Sequence, residues 1–381
     1  MIKHPVWQDI IITGTLAICC VLLWFVPSPQ RLSEDMTVKE RAVVQEVDNS
    51  DLQKLGHMEY GSQVLKVKLL SGPKKGTVYQ AENLIRAQME LDKKFRVGDK
   101  IIVVMMPDDD PEYSVIRAQD HDRTFWTWLL AGLFCVFICI FGRWTGVKAL
   151  FSFFLSVMVI WKAVIPMVLN GYPASWTIFG CVCFLTAAIM FLVAGLNRKG
   201  VAAFAGAIAG VFAGLCMSHL FTWLMKINGA TLPYIQALYN NGFEFLKLQD
   251  LFTGAVILAS SGAVMDLAMD IASGVEEVAL HNNTLSRKEL TASGMRIGRS
   301  VVGTMTTTLL LAYSGGYITL LMMFAVQGNS MLEILNNPLV AAESVKTLIG
   351  SFSLVLVAPF TAIFSGLLFH KRGNFKKQEK S

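Results

Sequence analysis

The sequence predicts a mainly α, polytopic membrane protein of about eight transmembrane helices, with a small β-rich, OB-like barrel inserted between the first and second. Three observations predict it. Hydrophobic residues make up 54% of the 381 residues and charged residues only 16%, with a mean hydropathy of +0.50. A soluble domain of that composition would leave too much apolar surface in water. The apolar residues are gathered into runs long enough to cross a bilayer, and the basic residues fall in short clusters between alternate runs. That placement makes the net charge of +5 a report of membrane orientation and excludes a nucleic-acid partner.

The first apolar run, 10–26, follows Lys3 and ends at Pro27 and Pro29. It has no small-residue cleavage site, and Ile18 stands before Cys19 where a lipobox needs a small residue. Residues 1–30 therefore read as an uncleaved signal-anchor helix with its amino end in the cytoplasm. Residues 31–123 are polar and lie between two spans. Within them 41–47, 63–70, 77–81, 100–106 and 113–118 have high β-propensity and are separated by turn signals such as Gly72-Pro73 and Gly98-Asp99. A helix-like segment, 81–94, falls between the third and fourth runs, which is the order of an OB-like barrel. His57, His121 and Asp108 to Asp110 offer metal-ligand chemistry, but their spacing fits no ligand motif. A solvated loop is expected, with no metal and no cofactor.

The later spans are 125–141, 149–169, 176–196, 201–225, 251–271, 301–323 and 348–369, so that 124–370 forms a helical membrane domain. Link 142–148 holds Arg143 and Lys148, and link 197–200 holds Arg198 and Lys199. Link 272–300 holds Arg287, Lys288, Arg296 and Arg299, and the tail 371–381 is basic. The opposite links carry only Lys226, Lys247 and Lys346. Both termini are therefore expected in the cytoplasm and 31–123 outside it, in a bacterial inner membrane. Segment 317–326 is too short to span alone and reads as a continuation past Gly315-Gly316 or as a re-entrant piece. Segments 235–248 and 331–335 read as interfacial. All the cysteines (Cys19, Cys20, Cys135, Cys139, Cys181, Cys183 and Cys216) lie in apolar runs and are expected to pack as small hydrophobes.

The sixth span carries Asp266 and Asp270, four residues apart and so about 40° apart on one helix face. With the span ending near Ala272, Asp266 lies about six residues, roughly 9 Å, inside the membrane, where a carboxylate is costly and marks a functional site. The alternative is a helix that runs further out and leaves Asp266 solvated. The seventh span enters after Arg296 and Arg299 and opens with Thr304, Thr307 and Thr308 at a similar depth. A protonatable carboxylate beside hydroxyls, with arginines at the mouth, suits an ion or proton relay, while the threonines alone would also suit helix packing. Lys162 and His219 lie too far toward the other side to be partners. Gly206, Gly210 and Gly214 form a flat strip for close helix contact, and Gly262 is grouped with them.

On Ser261 to Asp266 (SGAVMD), Asp270 to Ser273 (DIAS) and the stretch from Gly298 to Tyr313 (GRSVVGTMTTTLLLAY), the chain resembles the YibE/F family of bacterial membrane proteins over nearly its whole length. That resemblance implies architecture and no particular activity. The sixth and seventh spans are also similar to SecF-type members of the RND permease superfamily. There, too, an Asp-bearing helix precedes a basic link, a threonine-rich helix start and a Gly-Gly. The departures are eight spans rather than six and the extra segment 317–340. This likeness implies a proton-responsive helix pair and not protein translocation.

The expected function is an ion- or proton-coupled permease. Asp266 would take up and release the proton, Thr304 and Thr308 would be its hydrogen-bond partners, Asp270 would line the entry, and Arg296 and Arg299 would hold the cytoplasmic mouth. The alternative is a non-transporting scaffold or accessory protein whose extracytoplasmic domain binds a partner. No enzyme is expected, since no Ser-His pair, HExxH or protease-like Gly-x-Asp arrangement occurs. The expected partners are the lipid bilayer and an unidentified small solute or ion, with a homo-oligomer or other membrane partner left open.

Overall fold

The computed structural model describes residues 37–88, 92–106, 110, 114–282 and 284–378, together with residues 14, 15, 18, 21, 22 and 25 of the first apolar run; at 55 and 371–378 it describes backbone alone. The chain divides into two compact units, Arg31–Phe141 and Met1–Gln30 with Gly142–Ser381.

In the first unit, strands β1 (Val38–Asp48), β2 (Gln53–Leu55), β3 (Met58–Leu69), β4 (Val78–Arg86), β5 (Lys100–Met105) and β6 (Val115–His121) form one sheet. β1 pairs antiparallel with both β3 and β5, β3 with β4, and β5 with β6, while β4 and β6 run parallel. The ring therefore closes in the order β1-β3-β4-β6-β5, the pairing of an OB-like barrel, with β2 added to the edge of β3. Strict alternation drives it: along β4 every second residue (Tyr79, Ala81, Asn83, Ile85) turns inward. Tyr79 and Ala81 pack with Val44, Leu65, Val67, Phe95, Ile101 and Val103.

The predicted helix over 81–94 is absent among the described residues. The two-residue period of 78–86 prevails, β4 runs on to Arg86, and residues 92–96 form no regular element. Gln63, fully buried, takes over the task of closing that gap. Its Nε2 donates to the Phe95 carbonyl (3.0 Å) and its Oε1 accepts from the Phe95 N–H (3.0 Å) and from Asn83 Nδ2 (3.1 Å). Such a satisfied amide network fixes the chain where a helix would otherwise plug the barrel.

Among the described residues no cluster could hold a metal ion. His121 packs edge-on against Phe95 with 4.8 Å between ring centres, and His57 stands on an exposed turn. Asp108 and Asp109 lie outside the described residues.

Asp120 ties the last strand down. Burial pushes its carboxyl pKa up, but hydrogen bonds from Lys93 (3.0 Å), Arg123 (2.6 Å) and the His121 N–H (2.8 Å) outweigh burial and hold it below the usual value of 3.8. A carboxyl depressed in the folded state stabilises above its unfolded pKa, and that contribution is lost as pH falls through the folded value. Asp120→Asn is therefore expected to lower barrel stability at pH 7 and to leave it unchanged at the acid end. Hydrogen exchange of β6 in the full chain at both pH values measures this.

The second unit is helical. α1 (Thr124–Val159) starts in the first unit and is broken at Arg143 (φ 47°, ψ −125°), beside the division between the units. It continues through a π-helical turn, Ile160–Val164, into α2 (Ile165–Leu169). The whole stretch is 46 residues, enough for two spans of about 20 residues each. The break at Arg143 falls inside the expected basic link 142–148, between spans 125–141 and 149–169. Then follow α3 (Ala174–Ala194), α4 (Arg198–Leu224), α5 (Ile235–Asn240), α6 (Leu248–His281), α7 (Arg287–Gly315), α8 (Ile318–Gln327), α9 (Met331–Asn336) and α10 (Pro338–Gln378).

Among the described residues five helical stretches are long and apolar enough to cross a membrane, or six with α7 and α8 counted as one broken span. The two are bent by 68° at Gly315-Gly316. The signal-anchor run lies largely outside the described residues. Reaching eight spans needs that run and a division of the Thr124–Leu169 stretch at Arg143.

α6 is the hub, packed on α3, α4, α7 and α10. Ile257, Val264, Leu267, Ala268 and Ile271 are fully buried there. The α4 glycines face α10: a Cβ on Gly206, Gly210 or Gly214 would meet Thr361, Val357 or Ser353, respectively, at 2.1, 2.8 and 2.0 Å. Gly262 differs, since a Cβ there meets nothing within 4 Å among the described residues.

One sequence expectation needs correcting. α6 runs on past Ala272 to His281, because 272–281 contains no proline and mostly residues compatible with a helix. Glu276 and Glu277 are therefore helical, and so are Arg296 and Arg299, since α7 already begins at Arg287 behind a Ser286–Glu289 capping box. The five described cysteines are free: Cys181 packs against the core as expected, Cys139 and Cys183 are half-buried, and Cys135 and Cys216 are exposed.

Candidate functional site

α6 packs one face into the bundle and leaves the other bare. Ala259, Gly262, Asp266, Asp270 and Glu277 are exposed, spaced three, four or seven residues apart along one stripe. α7 runs antiparallel beside it: Gly294 sits against Val275, Gly298 against Ile271 and Gly274 against Ile297. With 271 opposite 298 and 275 opposite 294, position 270 is level with 299, 266 with 303 and 262 with 307. The exposed residues of α7 at those levels include Arg296, Arg299, Ser300, Gly303, Thr304, Thr307 and Thr308.

Toward the α6–α7 turn the two stripes border a groove of about 840 Å³, lined among others by Glu277, His281, Ala292, Met295, Arg296 and Arg299. Glu277 and His281 pair at 3.2 Å, and Arg296 donates to Ser293 Oγ at 3.2 Å. The groove thus brings both predicted arginines to the same helix pair as the two aspartates.

The anticipated bond between Asp266 and the threonines is not formed. The Thr304, Thr307 and Thr308 hydroxyls donate to the carbonyls of Val301, Gly303 and Thr304 in their own helix, at 2.9, 3.0 and 3.0 Å. That back-bonding satisfies each hydroxyl locally and leaves its lone pairs outward. Asp266 and Asp270 have no hydrogen bond or ion pair among the described residues.

Helix length bears on depth. α6 has 34 residues, about 51 Å, so its ends project beyond a bilayer core of about 30 Å. Its uncharged stretch, Leu251 to Met265, is about 15 residues or roughly 22 Å. A helix that fills the core from Asp250 inward therefore carries Asp266 within it.

Three polar ties escaped the sequence reading. Asp250 accepts from the Ser175 N–H (3.2 Å) and from its hydroxyl, so that α6 caps the start of α3 with negative charge. Lys199 and Glu276 join α4 to α6 at 3.5 Å. Lys346 pairs with Glu343 at 2.5 Å, the two side chains only 16% and 15% exposed, and its Nζ lies 5.7 Å from the Phe252 ring centre and 5.9 Å from that of Tyr317. An opposite-charge pair three residues apart was the available signal for this last tie. Removing one member of a largely buried pair leaves the other charge unpaired, at about 3 kcal/mol. Glu343→Gln is expected to lower the thermal midpoint of the purified chain, and adding Lys346→Met to restore most of it.

The family comparison bears on both units. Residues 130–371 match the model described as YibE/F-like protein, and residues 35–118 match the YibE/F family N-terminal domain. The chain belongs to the YibE/F family. The YibE/F-like match includes every residue of the polar face on α6 and α7, and the N-terminal match covers nearly all of the barrel. No curated protein and no solved structure matches the chain.

Proposed function

We propose that this YibE/F protein is an ion-coupled membrane transporter, with the proton as the first candidate ion. The observation that carries the reading is the stripe on α6 and α7: two carboxylates without partners lead from an arginine-lined groove toward the middle of a membrane helix. Carboxylates in such positions are expensive and mark ion and proton paths. In this reading Asp266 takes up and releases the ion, Asp270 relays it, and Arg296 and Arg299 set the field at the mouth. Thr304, Thr307 and Thr308 offer oxygen ligands along the way. The local likeness to SecF-type permeases supports the same helix pair. The placement of basic residues supports a bacterial inner-membrane protein with both termini and the groove in the cytoplasm. Residues 1–30 would be its anchor, 31–123 an extracytoplasmic β domain, 124–370 the transporting body and 371–381 a basic tail.

The closed barrel with its own core favours one second reading, a scaffold whose β domain binds a partner. Proteoliposomes of the full chain under an imposed pH gradient separate the two. Transport predicts proton movement above that of empty vesicles, and its absence across a panel of ions and small solutes leaves the scaffold.

A further inference from the structure

We infer that the polar face of α6 and α7 is covered by the same face of a second copy of this chain, so that the ion site is completed across a two-fold interface. The inference rests on the reading of that face as lying at membrane depth. Lipid is a poor neighbour for it, since a carboxylate facing the hydrocarbon centre costs about 2.5–3.5 kcal/mol on insertion scales. Neither apolar run outside the bundle, 10–26 or 125–141, offers it a basic partner. The apolar run 10–26 holds no Lys, Arg or His, and Ile18, Val21, Leu22 and Phe25 within it are exposed. The run 125–141 also lacks a basic residue, and its Phe125, Trp128, Phe137 and Phe141 are exposed.

A second copy supplies what is missing. Rotation about an axis along the membrane normal preserves depth, so the levels set by α6–α7 packing carry over between copies. Asp270 of each chain then meets the level of Arg299 in the other, and Asp266 that of Gly303, within a turn of Thr304 and Thr307. A two-fold interface is self-complementary, and each of these pairings occurs twice. The stripe also carries Gly262 and Gly303, where an added Cβ would meet nothing within 4 Å. Glycines that no neighbour in the chain requires are explained by close approach of another helix.

The test uses the full chain in lipid nanodiscs, with mass determined by light scattering. Wild type is expected as a dimer. Asp270→Arg alone and Arg299→Asp alone each place like charges across both pairings and are expected to weaken dimerisation at least tenfold. Co-expressed under different tags, the two single variants are expected to co-purify as a heterodimer. In that mixture opposite charges meet only between chains, while each chain alone keeps like charges side by side. A monomeric wild type, single variants that dimerise like wild type, or co-expressed variants that stay apart would each overturn the inference. Should either charge variant fail to accumulate, Gly262→Cys in one tagged chain and Thr307→Cys in the other, in a background freed of native cysteines, replace them. A disulfide between the two tags supports the interface, and its absence overturns it. Neither readout needs transport. A dimer without flux refutes only the transporter, and a monomer that moves ions refutes only the interface.

Discussion

Asp266→Asn is expected to reduce ion-coupled flux by roughly a hundredfold or more while leaving the protein folded and inserted. The two side chains have nearly the same volume, and the residue lies outside the packed face of α6, so no core contact is lost. What changes is the ability to carry a charge. A neutral amide at membrane depth also relieves the part of the insertion penalty that belongs to the charge. Stability and activity should therefore move in opposite directions, a pattern that damage to the fold cannot produce. Proteoliposome flux with a pH-sensitive dye and a thermal unfolding scan on the same preparation measure both. Asp266→Glu, which keeps the acid on a longer stem, should retain part of the flux. Full flux in Asp266→Asn would move the coupling site elsewhere, with Asp270 next in line.

How much of this was legible in the sequence differs from residue to residue. A lone carboxylate in an apolar run identifies itself, and Asp266 was found that way. Its direction was not legible, because it depends on which faces of α6 are taken by α3, α4, α7 and α10. The same holds for glycine. Gly206, Gly210 and Gly214 recur every fourth residue and advertise a flat strip, yet nothing in their spacing names α10 as the surface they meet. Gly262 looks no different in the sequence and faces open space. In the barrel, alternation located most of the strands, but polar Gln63 turned inward to bind Phe95 through both halves of its amide. A strand pattern cannot show that, because the partner stands 32 positions away. The helix expected over 81–94 failed for a related reason. Composition allowed a helix there, and pairing with β3 and β6 decided for a strand. The end of α6 was misplaced because charge marks where water is acceptable, whereas a helix ends only where its hydrogen bonds stop.

The contrast between the glycines yields the second large effect. Gly210→Leu is expected to destabilise the helical unit by about 3 kcal/mol, the upper end for overpacking. The first atom added already lies 2.8 Å from Val357 Cβ and 3.1 Å from its Cα, so relief requires moving the α10 backbone and not merely rotating a side chain. Gly206 and Gly214 meet α10 one turn to either side, so α4 cannot pivot about 210 without opening those contacts as well. Gly262→Leu is the matched control. It exchanges glycine for a better helix former, worth up to about 1 kcal/mol, and its Cβ meets nothing within 4 Å among the described residues. Its thermal midpoint should equal or exceed that of wild type when measured on monomers in dilute detergent, while Gly210→Leu falls well below. In nanodiscs the order of interest changes, because a leucine at 262 would stand in the way of a second copy and should lower the dimer fraction without unfolding either chain. Equal loss of monomer stability in both variants would mean that 262 also packs within the chain, and the α6 stripe would then be a core face and not an open one.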